Sequence, residues 1–244
     1  MHCPNPKPSP TQPARTATMT TYTLTVQFDV QDLNVILQAS ELVTIVYGVS
    51  AIVTSATPAR LANAHTAPPA VVWLAFSPLE SNVVSWTDSY ALYASRTVEQ
   101  NGVVVQTSAT TPAVSTTVVP FQVNGAFGAP EAGATLPPDH YGILNHYSPA
   151  TAMTFGLCAG TKPVVNGNPV NDEISTMSAS IVPLHQNVQL AASNSLQVFL
   201  QTGTSDGMTL PNSIANVAPI SFNPGRPNIT IRYNSNAGRF EVIN

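Results

Sequence analysis

The stretch TYTLTVQFD, Thr21 to Asp29, alternates Tyr22, Leu24, Val26 and Phe28 with Thr21, Thr23, Thr25 and Gln27. A period of two sends the first set to one face of an extended strand and the second to the other, so the segment predicts a half-buried strand. Strand-like runs rich in β-branched and aromatic residues recur along the chain: ELVTIVYGVSAIV from 41, AVVWLAF from 70, STTVVPFQV from 115, AMTFGLCA from 152 and EISTMSASIV from 173. NVQLAA from 187, SLQVFLQT from 195 and PISF from 219 follow, and the chain ends on NITIRY, a turn NSNAG, and RFEVI, with Ile229, Ile231, Tyr233, Phe240 and Val242 expected inward. One segment, DLNVILQAS, has helical spacing in Leu33, Ile36 and Leu37 behind Asp32 as N-cap.

Many short strands, loops of Gly, Pro and Asn, and at most one or two short helices predict an all-β fold. The expected form is a β-sandwich of jelly-roll or Ig-like antiparallel sheets. Residues 19–244 are expected to form a single domain. Residues 1–18, MHCPNPKPSPTQPARTAT, are expected to be a flexible Pro-rich N-terminal extension, and Met19, directly before the first strand, stands as an alternative native start. A loop is expected from about Ser55 to Pro69.

The segment SWTDSYALYAS, Ser85 to Ser95, fits a helix through Trp86, Tyr90 and Tyr93, or a strand in which Trp86, Asp88, Tyr90, Leu92 and Ala94 share a face. Flanking Val and Thr residues and the Asn101-Gly102 turn dipeptide favour the strand. A two-residue turn there sets Val98 opposite Val105, Arg96 opposite Thr107 and Ala94 opposite Ala109. Such a hairpin has one buried and one wet side, which places Trp86 and Tyr90 in the core and leaves Tyr93 as the exposed aromatic.

Charge narrows the partners. Eight Lys and Arg residues, scattered singly, stand against twelve Asp and Glu for a net charge of -4. Phosphate-backbone binding needs clustered cations, so nucleic acid is not expected as a partner, and no polybasic run invites anionic headgroups. Only 8% of residues are charged and mean hydropathy is +0.11, which leaves uncharged surface and strand edges for self-association into a homo-oligomer. The N-terminus lacks the apolar stretch of a secretory signal, so cytoplasmic synthesis is expected, with release by a non-classical route. Two cysteines, Cys3 and Cys158, predict no structural disulfide, and Cys158 reads as a small apolar filler.

GTSDG, Gly203 to Gly207, matches the G-x-S-x-G pattern of serine hydrolases, which requires a strand, the serine on a tight turn, and a helix. MTLPNS follows instead of a helix, so a hairpin turn is expected around Ser205. Asp172 and Glu173 are adjacent and point to opposite sides of a strand, which gives no paired-carboxylate arrangement. No nucleophile, base and orienting partner assemble from spacing, so neither an enzyme nor a cofactor is expected.

PPDHYGILNHY, Pro137 to Tyr147, reads as a loop that concentrates ligand-binding residue types. His140 and His146 with Asp139, joined by His185, are a candidate metal set, though no zinc signature accompanies them. The types suit a sugar better: aromatic rings cover its apolar face while Asp and Asn side chains bond its hydroxyls. Asp139, His140, Tyr141, Asn145, Tyr147 and the exposed Tyr93 are therefore the candidate ligand-binding residues. The expected function is a non-enzymatic surface-recognition protein that binds glycan or glycolipid, lectin-like and of defence or toxin type. The Thr/Ser/Val-rich hairpins also resemble segments of β-pore-forming proteins, which would bring membrane contact, although Arg96 falls on the apolar face of the first candidate hairpin. A structural coat or shell component is the further alternative.

Overall fold

The computed structural model describes residues 19–55, 69–98, 100–170, 175–211, 217 and 219–243. The expected extension at 1–18, most of the expected loop after Ser55, and the Asp172-Glu173 pair lie outside these residues.

In chain order the first elements are β1 (Thr21–Gln27), α1 (Val30–Gln38), β2 (Leu42–Ser55), β3 (Val72–Phe76), β4 (Ser81–Thr87) and β5 (Tyr90–Ser95). Next come β6 (Ala109–Pro112), β7 (Val118–Phe121), β8 (His140–Asn145), β9 (Ala152–Ala159), β10 (Val164–Val165) and β11 (Asn168–Pro169). The chain closes with β12 (Ser180–Pro183), β13 (Gln186–Gln201), β14 (Ile220–Ser221), β15 (Asn228–Asn234) and β16 (Arg239–Val242).

The strands form an all-β, sandwich-like fold. The first sheet runs β11-β10-β4-β1-β15-β16, the second β3-β2-β13-β8-β7 with β14 on β13, and the third β12-β9-β5-β6. Most pairings are antiparallel, as expected, but β1 runs parallel to β15 and β7 parallel to β8, so the first two sheets are mixed. One cluster of buried side chains joins all three: Leu24 and Val84 from the first, Ile45 and Leu190 from the second, Leu92 and Phe155 from the third. β1 shows the predicted alternation in full, with Tyr22, Leu24 and Val26 buried and the threonines between them not. The helix begins two residues before the expected cap. Asp29 occupies the N-cap with extended backbone and no side-chain cap bond, while Asp32 sits in the first turn, where a carboxylate suits the helix dipole.

The segment from Ser85 to Ser95 is extended, but it serves two sheets. Trp86 pairs with Tyr22 in the first sheet, and Tyr90 pairs with Ala159 in the third. The transfer occurs at Asp88-Ser89, which is pinned on both sides: the Thr20 N–H donates to Asp88 Oδ1 at 2.9 Å, and the Gly160 N–H donates to the Ser89 carbonyl at 2.7 Å. Trp86, Leu92 and Ala94 all reach the same core, with Tyr90 packed against it.

Tyr93 is not the exposed aromatic. It is fully buried on the other face of the third sheet, in a second cluster with Val71, Val105, Cys158 and Ala179. The hairpin retains its predicted Ala94 to Ala109 register, but strand pairing stops there. Beyond it, residues 102–105 bond instead to 207–209, with Val105 N–H on the Gly207 carbonyl and Thr209 N–H on the Val103 carbonyl. That detour covers the face expected to be wet. Two further readings change. NVQLAA and SLQVFLQT are halves of the single strand β13, interrupted by a bulge, and Val242 is exposed on the edge strand β16 rather than inward.

The second cluster depends on close approach at Gly156, which pairs with Tyr93. The Tyr93 hydroxyl donates to the Ser178 carbonyl at 2.5 Å, and a Cβ on Gly156 would collide with that same carbonyl oxygen. Gly156→Ala should therefore destabilise the protein by about 1–3 kcal/mol through overpacking. Urea unfolding should show a lower midpoint with an unchanged slope.

Candidate functional site

The candidate ligand-binding residues are dispersed by the fold. Much of the expected loop is the strand β8, whose alternation sends Tyr141 and Ile143 into the main core, opposite Leu190 and Val188. Asn145 is fully buried and its amide is spent internally: Nδ2 donates to the Val182 carbonyl at 2.8 Å, and Oδ1 accepts the Tyr147 N–H at 3.0 Å. Tyr147 is buried too. Its hydroxyl accepts from Arg96 Nη2 at 2.5 Å, and the guanidinium carbon lies 5.4 Å from the ring centre. The Arg96 head group is thereby held outside the apolar interior, against an aromatic face.

Asp139 remains exposed at a left-handed φ of 57°, its N–H donating to Ser115 Oγ at 2.9 Å. His140 is half-buried, with Nδ1–H donating to the Pro138 carbonyl at 2.8 Å. The expected metal set divides in the same way. Among the described residues no three His, Cys, Asp or Glu side chains gather as a metal group, but His146 and His185 do meet, with ring centres 6.0 Å apart. Ser205 of GTSDG is exposed on a turn, and its carbonyl accepts the Met208 N–H at 3.1 Å. Gly203 and Gly207 hold the positive φ angles this turn needs, and among the described residues no helix follows the serine. Cys158 is buried, and burial pushes its thiol up to about 12, so it stays protonated as a core filler.

A partly buried polar cluster has no counterpart in the sequence reading. Gly48 of β2 faces Ser193, Asn194 and Ser195 of β13, three residues against one, because the register moves from Ala192–Val49 to Leu196–Tyr47. A Cβ on Gly48 would strike both serine hydroxyls, so any side chain there would force the serines to move. Asn194 adopts φ 48° and turns its amide inward, where Oδ1 accepts from the Tyr47 hydroxyl at 2.8 Å and the Tyr90 hydroxyl at 2.9 Å. Each phenol has one proton and gives it to the amide, so the 3.0 Å contact between the two hydroxyl oxygens carries no further bond. Burial, then proximity to Tyr47, pushes the Tyr90 phenol well above its ordinary range, and burial pushes Tyr47 up to about 12. SNS between two apolar runs, opposite a strand glycine, was the available signal.

An open concave surface lies elsewhere. A cleft of about 490 Å³ is lined by Glu41 after α1, by Phe199 and Gln201 of β13, and by Tyr233, Arg239 and Phe240 of the final hairpin. Tyr233 and Phe240 pack edge to face at 5.4 Å, and both pack on Phe28. Arg239 Nη2 lies 3.3 Å from Glu241 Oε1, the one ion pair among the described residues. Asn234 and then Arg239 bond the Glu241 carboxyl and hold it below the ordinary range. The cleft thus combines aromatic surface, an amide, a carboxylate and a guanidinium already balanced by its neighbour. No family model, curated protein or solved structure matches this chain.

Asn194→Ala would take the shared acceptor from two partly buried phenol hydroxyls and should cost about 1–3 kcal/mol. The Tyr47 phenol ionises near 10.0 when unfolded and at about 12 when folded. Its stabilisation is therefore complete below the first value and lost as pH rises through the second. Thermal unfolding of the wild type should show stability falling over that alkaline interval, less steeply in Tyr47→Phe.

Proposed function

We propose that this protein is a non-enzymatic recognition protein and that its ligand, a neutral glycan, sits in the cleft between Glu41, β13 and the final hairpin. The carrying observation is the composition of that cleft. Aromatic carbon from Phe199, Tyr233 and Phe240 lies beside the hydrogen-bonding groups of Glu41, Gln201 and Arg239. A sugar ring has an apolar face and a hydroxylated rim, and this pairing of surfaces complements both. A volume of about 490 Å³ falls within the range of small-molecule sites, and the pairing of Arg239 with Glu241 favours an uncharged ligand over an anion. The same recognition chemistry read from residues 137–147 finds less support there, because Tyr141, Asn145 and Tyr147 face inward.

The test is a glycan array of the full chain with Gln201→Ala and Glu41→Ala, two substitutions on the cleft wall. Selective binding lost or weakened at least tenfold in both variants supports the cleft. Binding that survives in both, or no binding above background, removes it.

A further inference from the structure

We propose that His146 and His185 form a two-imidazole seat for a borderline-soft divalent cation, Zn2+ or Ni2+, at the junction of β8, β12 and β13. Both histidines are fixed through one buried residue. Asn145 ends β8, is fully buried and donates its side chain to the Val182 carbonyl; its own carbonyl accepts the His185 N–H at 2.8 Å. His146 is the next residue, and its N–H donates to the Phe121 carbonyl at 2.8 Å. His185 lies in the two-residue turn from β12 to β13 with φ 62°, a left-handed conformation in which the turn brings its ring to His146.

Both side chains are exposed, and their rings meet at 60° with centres 6.0 Å apart. Two metal–nitrogen bonds of about 2 Å, plus the reach from each ring centre to its nitrogen, span a separation of this size. Imidazole selects zinc and nickel over calcium and magnesium, which require oxygen ligands. With two protein ligands, the cation keeps water in its remaining positions. Asp139 and His140 lie at the opposite end of β8 and take no part.

Isothermal titration of the full chain with zinc chloride, and separately with nickel chloride, tests the seat. The comparison uses His146→Ala, His185→Asn and, as control, His140→Ala; asparagine preserves the left-handed turn at 185. The wild type and the control should share a binding event that is lost, or weakened at least tenfold, in each of the other two, with unchanged circular dichroism. Absence of any event in the wild type, or events identical in all four proteins, would overturn the proposal, since binding would then belong to histidines elsewhere in the chain.

Discussion

A run of ring contacts ties the three sheets together, and the remaining packing is arranged around it. Tyr141 of the second sheet meets Tyr90 of the third at 5.8 Å, Tyr90 meets Tyr47 of the second at 6.3 Å, and Tyr47 meets Trp73 at 5.3 Å. Trp73 then meets Trp86 of the first sheet at 5.4 Å, and Trp86 meets Tyr22 at 5.6 Å. Each contact contributes about 0.5–1.5 kcal/mol beyond the area it buries. Two of its phenol ends, Tyr47 and Tyr90, share one acceptor, while the buried indole N–H groups of Trp73 and Trp86 have no hydrogen-bond partner among the described residues. Asn194, projected by the bulge opposite Gly48, absorbs both hydroxyl protons at the point where the second and third sheets meet.

That arrangement places the rings of Tyr22, Tyr47, Trp73 and Trp86 in the interior. Tyr93, Tyr141 and Tyr147 hold layers together, each with its ring buried. The cleft beside the final hairpin and the exposed histidine pair at the end of β8 lie on the surface. Both are assembled from the ends of elements rather than from a single loop, which is how a rigid strand scaffold presents chemistry.

Much of the fold was legible because strand patterning is local. The alternation in β1, the single helix, the NSNAG turn and the Ala94 to Ala109 register all depend on residues close in sequence. What escaped depends on distant cover. Tyr93 is buried because residues 103–105 and 176–179 fold over it, and nothing near position 93 signals that. Asp, His and Asn around Tyr141 resemble a binding loop by type, yet Asn145 is there to bond Val182 and Tyr147 from within. The cleft draws on positions 41, 199, 201, 233, 239 and 240, brought together by tertiary packing alone. Of the four residues weighed as a metal set, His146 and His185 lie with ring centres 6.0 Å apart, while Asp139 and His140 lie at the other end of β8.

The most direct test of this division between interior and perimeter is tyrosine nitration of the native protein, mapped residue by residue by mass spectrometry. The account predicts that Tyr47, Tyr93 and Tyr141 resist modification until the chain is unfolded, while Tyr233, half-exposed in the cleft, reacts in the folded state. Native nitration of Tyr93 and Tyr141 at the rate seen in the unfolded chain would contradict it, and would return those rings to the surface as ligand-binding groups.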